Sequence, residues 1–312
     1  MQKNSIYDCI RCARRALIIR SFGRTIKTKP KDSLEYCADV VRQHDHENFL
    51  ATLLMTNSIR SPALVVRAFN VEIAKIQDQT TNPQTAVFRL QFWRNALKTI
   101  YQKDHKLSHV PANPIAQELF KINNSYNLPQ RYLDRLITSR ETILKTKYFR
   151  SLEDVEKYAE ESVSSVYYLI LTVAGVANVH ADHAASHLGK AQGITNILRS
   201  VHVSNHHKVV FLPMDILMKY DTSQQDVLRG VDNENLRNIA FEIASRAHSH
   251  LEKARSIFVP KQVNQILLPA IAVDAYLTKL QRCNFNLFDA TLQKSNTTLP
   301  FSLYLNRLLN KF

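Results

Sequence analysis

Glycine is scarce in this sequence, and its scarcity restricts the folds open to the chain more than any other feature. Only five of the 312 residues are glycine. Nucleotide-binding α/β proteins hold phosphate in glycine-rich loops of the G-x-G-x-x-G or P-loop type, and neither pattern occurs here. Alternation of apolar and polar residues, which is typical of half-buried strands, is also scarce. The sequence therefore predicts an all-α protein.

Prolines and capping residues divide the sequence into candidate helices. The amphipathic run Leu34–Met55 precedes Pro62, which suits the first turn of a helix over Arg60–Gln79. The apolar stretch Val166–Val179 predicts a buried core helix, since it is shorter than the roughly 20 residues that span a bilayer. Further helices are expected over Gln84–Gln102 after Asn82-Pro83, from Asn113-Pro114, from Leu128-Pro129, from Ser151 with Asp154 in a capping-box-like pair, from Asp232 to about Phe258, after Pro260, and near Leu287–Leu292 and Phe301–Leu309.

The composition suits one large folded domain. Hydrophobic residues make up 45% of the chain and charged residues 22%. A chain of this length can bury a sizeable core. No internal repeat, low-complexity tract or linker interrupts residues 32–312. We therefore expect a single-domain helical bundle over residues 32–312.

The first 31 residues differ from the rest in charge. They contain nine Lys or Arg and one acidic residue, Asp8. An arginine-rich, acid-poor, amphipathic N-terminus is typical of a mitochondrial transit peptide, and residues 1–31 are predicted to be one. A basic disordered arm is the alternative interpretation. The apolar face of this segment comprises Ile6, Ile10, Ala13 and Leu17.

Without that segment the net charge of the chain is small. Residues 32–312 carry 32 Lys or Arg and 26 Asp or Glu, so the formal net charge falls from +14 to +6. This charge is compatible with contact to anionic lipid or to acidic protein surfaces. The sequence contains no nucleic-acid recognition motif and no basic–aromatic array, so no nucleic-acid partner is expected.

The four cysteines do not predict a metal site or a disulfide framework. Cys9 and Cys12 form a C-x-x-C, but the pair lies in the predicted transit peptide and no second pair exists. Cys37 and Cys283 are isolated in the sequence. This usage fits a protein in reducing surroundings.

The stretch His187–Ser204 contains two of the five glycines and no acidic residue. At helical pitch its small and polar residues form one stripe, and apolar residues including Ile194 and Leu198 form another. A small polar stripe of this kind lines a cavity or meets a neighbouring helix closely, and both interpretations stay open. The stripe comprises Gly189, Gly193, Asn196, Ser200 and Ser204.

Around this stripe the sequence resembles the second signature of the squalene/phytoene synthase family. Gly189 and the run TNILR at 195–199 are similar to the family pattern G-x-A-x-Q-x-T-N-I-L-R-D-x-x-x-D. In the enzymes both aspartates of that pattern bind magnesium and diphosphate. Ser200 and Ser204 stand at those two positions here, and Gly193 stands at the glutamine position.

A second resemblance lies upstream, in the predicted Arg60–Gln79 helix. The residues from Ala68 to Asp78 resemble the first family signature, A-F-x-x-x-x-D-x-x-x-D. Ala74 stands at its first aspartate and Asp78 keeps the second, so one carboxylate of four survives. Arg67 and Asn70 complete the candidate cavity or packing face.

The loss of carboxylates has a chemical consequence. Magnesium takes about six oxygen ligands and gives up water reluctantly, so several carboxylates are needed to anchor it to a substrate diphosphate. Asp78 alone, with Lys75 and Arg67 near it, cannot replace the several carboxylates that anchor magnesium. Removing one stabilising group from an active site typically costs about 10²–10³ in rate. The resemblance therefore implies no prenyl transfer, no bound metal and no cofactor.

The phrase AFNVEIA at 68–74 resembles a branch of the family whose signatures are eroded in this way and whose members help to build mitochondrial respiratory complex I. This resemblance runs from about Tyr36 to the C-terminus. It implies a helical bundle of the terpenoid (isoprenoid) synthase type without catalytic activity. It also implies complex I subunits or other assembly factors as partners, and a position on the matrix side of the inner membrane with peripheral lipid contact. The alternative is an active or ligand-binding prenyl diphosphate transferase-like protein.

His180, His183 and His187 are spaced i, i+3, i+7 and share one face of a predicted helix. Three imidazoles on one face are compatible with a metal site. The family resemblance places no histidine ligand at this point, so a polar lining or solvent-facing role is favoured.

Overall fold

The computed structural model describes residues 32–80, 82–102 and 106–312, without the side chains of 203–207. The predicted transit peptide, Cys9 and Cys12 lie outside these residues. Regular structure in the described residues is helical and includes no strand, which confirms the prediction of an all-α protein.

Fifteen α-helices occur in the described part of the chain. A 3₁₀ turn (Leu107–His109) precedes α5, and a π-helical turn (Glu160–Ser164) joins α7 to α8. The helices are α1 (Ser33–His44), α2 (His46–Leu53), α3 (Asn57–Gln79), α4 (Pro83–Ile100), α5 (Pro114–Tyr126), α6 (Gln130–Thr146), α7 (Leu152–Ala159), α8 (Ser165–Val173), α9 (Val179–His207), α10 (Met214–Lys219), α11 (Gln224–Arg229), α12 (Glu234–Ser256), α13 (Lys261–Leu267), α14 (Ala270–Arg282) and α15 (Leu299–Leu308).

Helices α3 and α9 organise the bundle. Helix α9 packs against α7, the π-helical turn, α8, α12 and α14, while α3 packs against α1, α5 and α8. One apolar core joins the two helices and includes Phe69 from α3 and Leu188 from α9, both fully buried. Trp93 is 4% exposed and meets the ring of Phe69 edge-on, with 5.3 Å between centroids, as its predicted place in the core requires.

Local capping residues set several helix starts where the sequence predicts them. The Asn82 side chain accepts a hydrogen bond from the Gln84 N–H at 2.8 Å, and Asn113 accepts from Ile115 at 2.9 Å. Ser151 likewise caps α7. These side chains satisfy N–H groups that have no partner within the first helical turn.

Pro62 lies deeper in its helix than predicted, because α3 begins at Asn57 and not near Arg60. Proline has no N–H to donate to the carbonyl four residues earlier, which is that of Ser58. The Tyr126 hydroxyl donates to the Ser58 carbonyl at 3.1 Å. This hydroxyl gives the Ser58 carbonyl the donor that the proline cannot supply.

The amphipathic run Leu34–Met55 forms two helices and not one. The chain leaves helical geometry at Asp45, with φ −142° and ψ 58°, before α2 begins at His46. The amphipathic spacing continues across this break, so periodicity does not reveal it. The break directs Asp45 into the cavity described below.

Two further helix predictions are wrong in detail. The apolar stretch Val166–Val179 is not one buried helix: α8 ends at Val173, Gly175 adopts φ +67°, and Val179 starts α9 with 77% of its surface exposed. The segment Leu287–Leu292 forms turns where a helix was expected.

The cap of α12 is also displaced by one residue. Asn233, and not Asp232, accepts a hydrogen bond from the Leu236 N–H, at 2.8 Å. Asp232 instead pairs with Arg237 through Nε at 3.0 Å. Both residue types are good caps, so sequence preference alone does not separate them.

Candidate functional site

A cavity of about 540 Å³ lies between α3 and α9 and is closed by parts of α1, α2, α6 and the π-helical turn. Most of the site residues predicted from the two sequence signatures line this cavity. They are Arg67, Asn70, Ala74 and Asp78 from α3 and Gly193, Asn196 and Ser200 from α9.

Gly189 and Ser204 are not among the residues described as lining the cavity. A Cβ at Gly189 would lie 2.1 Å from Oγ and 2.7 Å from Cα of Ser164, so Gly189 serves close packing between α9 and the π-helical turn. Gly193 has both roles, since it lines the cavity and a Cβ there would lie 2.3 Å from the Ala159 Cβ. Ser204 belongs to α9, but its side chain lies outside the described residues.

Four cationic side chains line the cavity: Arg67, Lys75, Arg140 and Arg199. Three acidic side chains accompany them: Asp45, Glu47 and Asp78. The sequence signatures draw attention to Arg67, Lys75, Arg199 and Asp78. Arg140, Asp45 and Glu47 come from other helices, and no local pattern marks them.

The guanidinium of Arg67 is buried at the cavity wall. Arg67 is 3% exposed and lies over the ring of Tyr167, 5.9 Å from its centroid. Its Nε and Nη2 atoms have no hydrogen-bond partner among the described residues. A buried, charged donor without a partner is costly, so this guanidinium favours an acceptor within the cavity.

Arg140 is held by polar atoms from three helical elements. Its Nη2 donates to Asn70 Oδ1 at 2.7 Å and to the Ser162 carbonyl at 3.3 Å. Its Nη1 donates to the Leu136 carbonyl at 3.2 Å. Burial lowers the pKa of Arg140. The π-helical turn thus supplies a carbonyl that an unbroken α-helix would use internally.

Arg199 is held at the other side of the cavity. Its Nη1 lies 2.7 Å from Glu47 Oε2, and its guanidinium lies 4.6 Å from the centroid of the Tyr276 ring. Glu47 is thereby engaged by a cation and not offered as a free metal ligand.

A chain of hydrogen bonds connects Asp45 to the centre of the bundle. Asn48 Nδ2 donates to Asp45 Oδ1 at 2.8 Å, and Gln192 Nε2 donates to Asn48 Oδ1 at 3.3 Å. The Tyr167 hydroxyl donates to Gln192 Oε1 at 2.6 Å. Burial raises the pKa of Asp45, although Arg67 and Asn48 favour its ionised form.

Asp78 is the carboxylate that the first signature retains. Burial raises its pKa from 3.8 to about 6. Ala74, one turn before it, presents only a methyl group, and Ser200 donates its hydroxyl to the Ile197 carbonyl at 2.7 Å. Among the described residues, no three His, Cys, Asp or Glu side chains come together in a way that could hold a metal ion.

The histidines predicted to share a helix face lie outside the cavity. His180 and His183 are exposed. His187 meets His250 of α12, with 2.9 Å between the two Nδ1 atoms, and Glu156 Oε1 lies 3.2 Å from His250 Nε2. Burial lowers the pKa of His187 to about 4, with the charges of neighbouring groups adding to the effect.

The sequence matches the model of the squalene/phytoene synthase family over residues 41–300. This match covers most of the chain, including α3, α9 and every cavity-lining residue. The chain belongs to the squalene/phytoene synthase family. The resemblance inferred from the two signatures is therefore confirmed.

Two relatives within this family are similar over most of their length. The rat protein named NADH dehydrogenase (ubiquinone) complex I, assembly factor 6 is 41% identical over 276 residues, which are 88% of this chain and 81% of the relative. The Drosophila melanogaster homolog of that name is 38% identical, over 89% of this chain and 84% of the relative.

A solved structure shares the fold. The squalene synthase HpnC from Alicyclobacillus acidocaldarius matches with a TM-score of 0.71 at 18% identity, covering 81% of this chain and 95% of that one. The predicted terpenoid-synthase-type helical fold is therefore confirmed. No helix in the described part of this family member has the length and apolar character to cross a membrane.

Proposed function

We propose that this chain is a non-catalytic member of the family that acts in the assembly of mitochondrial respiratory complex I. The observation that carries the proposal is its similarity to the rat and fruit-fly proteins named complex I assembly factor 6, which covers 88% and 89% of this chain. The proposed partners are complex I subunits or other assembly factors. The proposed location is the matrix side of the inner membrane, reached through a transit peptide at residues 1–31.

Removal of the protein from cells tests this role. Respiratory complexes are separated on native gels after loss of the chain and after re-expression of the wild type. Loss of the chain should lower complex I and leave complexes III and IV at normal levels, and re-expression should restore complex I. Normal complex I in cells without the protein would contradict the proposal.

The absence of prenyl transfer is proposed from the positions that resemble the magnesium ligands of the enzymes. Ala74 and Ser200 present a methyl and a hydroxyl to the cavity, and Asp78 is the carboxylate that remains at these signature positions. Asp45 and Glu47 also reach the cavity, but Asn48 and Arg199 bind them. Magnesium-diphosphate needs several anchoring carboxylates, so this arrangement supports a pseudoenzyme.

Labelled farnesyl and geranylgeranyl diphosphate, supplied with magnesium, test the pseudoenzyme proposal directly. We expect no squalene-like or phytoene-like product. Turnover that Asp78→Asn abolishes would show that the remaining carboxylate still supports chemistry.

A second candidate function is metal-free binding of an anionic ligand in the same cavity. The observation that favours it is the buried Arg67 guanidinium, two of whose nitrogens have no partner among the described residues. Lys75, Arg140 and Arg199 add positive charge to the cavity wall. Arginine binds phosphate oxygens through several N–H groups at once, which makes it suited to a diphosphate.

Calorimetric titration with inorganic pyrophosphate and with farnesyl diphosphate, in the presence of a chelator, tests this candidate. Binding should weaken at least about tenfold in Arg67→Lys, which keeps the charge but loses the planar donor group. Arg229→Lys is the control, because Arg229 is exposed and distant in sequence from the cavity residues. The candidate fails if neither ligand binds.

A further inference from the structure

The C-terminal helix α15 is apolar on both of its faces. Leu299 and Leu303 are buried against α2 and α14 in a small cluster with Ala51, Leu268 and Ala272. The opposite face is uncovered and forms a stripe at spacing i, i+3, i+4, i+7, i+8. This C-terminal stripe comprises Phe301 (70% exposed), Tyr304 (53%), Leu305 (42%), Leu308 (64%) and Leu309 (56%).

Hydrogen bonds to three other segments hold this helix in place. Arg307 Nε donates to the Leu54 carbonyl at 3.0 Å. Beyond the last turn, Asn264 Nδ2 donates to the Asn310 carbonyl at 2.6 Å, and Arg255 Nε donates to the Phe312 carbonyl at 3.2 Å. The C-terminal stripe is therefore a fixed surface and not a frayed end.

Another exposed aromatic residue belongs to the same end of the bundle. Phe258 is 91% exposed and lies in the loop between α12 and α13. The two residues that bond the C-terminus, Arg255 and Asn264, flank this loop in sequence. The loop and the end of α15 are thus tied together, which places Phe258 at the same end of the bundle as the C-terminal stripe.

Charge is segregated to the same part of the chain. Residues 32–252 contain 24 Lys or Arg and 24 Asp or Glu and are formally neutral. Residues 253–312 contain eight Lys or Arg and two Asp, so they carry the whole net charge of +6. Lys261 and Lys311 of this segment are exposed. The segment with the uncovered apolar stripe is therefore also the basic segment.

We propose that the C-terminal stripe and Phe258 dock on the surface of a membrane that contains anionic phospholipid. A fixed helix with apolar and aromatic side chains outward and basic residues near it has the properties of an interfacial helix, which lies in the plane of the headgroups. Lys261 and Lys311 supply charge complementary to the headgroups. This surface is separate from the cavity, so the proposal does not depend on what the cavity binds.

The charge distribution argues for lipid over a second copy of the chain. A symmetric dimer through the C-terminal stripe would place the same surface of each copy against the other. That arrangement would bring two basic segments together, each with a net charge of +6, and their repulsion would oppose it. An anionic lipid surface meets both the apolar and the basic requirement.

A site-specific fluorescence measurement on the full chain tests the proposal. Tyr304→Trp introduces a reporter into the stripe, while the natural Trp93 stays buried at 4% exposure. Phe88→Trp is the matched control, because Phe88 is 74% exposed on α4. Vesicles of phosphatidylcholine alone and with phosphatidylglycerol are added, and brominated lipid serves as quencher. A local reporter is required because the basic residues 1–31 can attract vesicles by themselves.

We expect the emission of the Tyr304→Trp protein to shift to shorter wavelength and to be quenched by brominated lipid, with vesicles that contain phosphatidylglycerol. The Phe88→Trp protein should show neither change. Phe301→Gln with Leu308→Gln should weaken partitioning at least about tenfold and leave the melting temperature unchanged, since both side chains are exposed. Phe88→Gln with Met218→Gln removes two equally exposed side chains elsewhere and should not weaken it.

Three results would overturn the proposal. In the first, the protein floats with anionic vesicles while the Tyr304→Trp reporter stays in water, so another surface binds. In the second, neutral vesicles give the same response as anionic ones. In the third, the reporter shifts without vesicles as protein concentration rises, which assigns the stripe to a second copy of the chain.

Discussion

Asp78 is solvent-accessible at the rim of the cavity, but partial desolvation of its carboxylate there makes its ionisation unfavourable to folding. Its pKa is about 6 in the folded protein, compared with 3.8 as the ordinary value. The folded state therefore binds the proton more tightly than the unfolded state. Between pH 3.8 and 6 the free energy of unfolding should fall as pH rises, and the penalty is complete above pH 6.

Asp78→Asn should remove that penalty. The variant should be more stable than the wild type at pH 7–8, by about 1 kcal/mol or less because solvent screens the exposed part of the side chain, and the difference should vanish near pH 4. Denaturant unfolding at several pH values measures this, with the exposed Asp221→Asn as control. An Asp78→Asn protein that is less stable at pH 7–8 would show that the ionised carboxylate has a stabilising partner.

His187 should produce the opposite pH dependence. Its pKa is about 4 in the folded protein and near 6.5 when unperturbed, so the unfolded state takes up the proton first as pH falls. Stability linked to His187 should be lost as pH falls from about 6.5 towards 4. His187→Gln should flatten this loss in thermal melts, whereas the exposed His248→Gln should not. The charged or titratable groups around the His187–His250 pair are Lys190, His183, Lys253, Arg246 and Glu156.

Single residues of the cavity were predictable from sequence only where a local pattern marks them. Asn70, Ala74 and Asp78 follow from spacing on one helix, and Gly193, Asn196 and Ser200 from spacing on another. Arg140 and Asp45 reach the cavity through tertiary packing, and nothing near them in sequence indicates a site. The two Arg67 nitrogens without a hydrogen-bond partner among the described residues, Nε and Nη2, are likewise identifiable only once the surroundings of Arg67 are known.

At the scale of secondary-structure elements, the two glycines of α9 determine how closely it approaches α7 and the π-helical turn. Glycine to alanine normally stabilises a helix interior by about 1 kcal/mol. At Gly193, however, a Cβ would lie 2.3 Å from the Ala159 Cβ, and at Gly189 it would lie 2.7 Å from the Ser164 backbone. Both substitutions should therefore destabilise the protein, with a cost of roughly 1–3 kcal/mol from overpacking.

Gly193→Ala and Gly189→Ala should differ in whether a second substitution restores the lost stability. Ala159→Gly removes the Cβ atom that lies closest to the Cβ introduced by Gly193→Ala. The double mutant should therefore be more stable than the sum of the two single substitutions predicts. Ser164→Gly removes only a side chain, and the backbone of residue 164 still blocks Gly189→Ala. Denaturant unfolding of the two double-mutant cycles measures the coupling. Equal coupling at both sites, or stabilisation by either alanine, would contradict this packing.

Elements with local start signals were predictable, and elements shaped by packing were not. The caps at Asn82, Asn113 and Ser151 act within a few residues, so the sequence indicates them. Apolar residues keep their helical spacing across the break at Asp45 and across the π-helical turn. The hydrophobic periodicity of the sequence therefore reveals neither feature. The N-cap of α12 was predicted one residue too early, at Asp232, because Asp232 and Asn233 are both good capping residues.

For the whole molecule, mitochondrial import is predicted from the first 31 residues. Their nine basic residues and one acid, with arginines away from the apolar face, are typical of transit peptides. A reporter fused behind residues 1–31 should enter the matrix. A matched fusion with Arg11, Arg14 and Arg15 changed to Gln should stay in the cytosol. Cytosolic retention of the unmodified fusion would contradict the prediction.

The overall fold could be predicted from the sequence because three features indicate the same helical bundle. These features are the scarcity of glycine, the helical spacing of apolar residues and two family signatures on helices that face each other. The separate roles proposed for the cavity and for the C-terminal stripe could not be predicted from the sequence. The neutrality of residues 32–252 and the basic, apolar C-terminal end could be counted in sequence. Their meaning depends on knowing that the stripe on α15 stays uncovered in the folded chain.

We propose that the chain supports complex I assembly without chemistry in the cavity, and a complementation experiment tests this proposal most directly. In cells lacking the protein, complex I is measured on native gels after re-expression of wild type, Asp78→Asn or Gly193→Leu at matched transcript levels. Asp78→Asn should restore complex I as fully as the wild type. Gly193→Leu should reduce both protein abundance and complex I, because its side chain collides with α7. An Asp78→Asn protein of normal abundance that fails to restore complex I would contradict the claim.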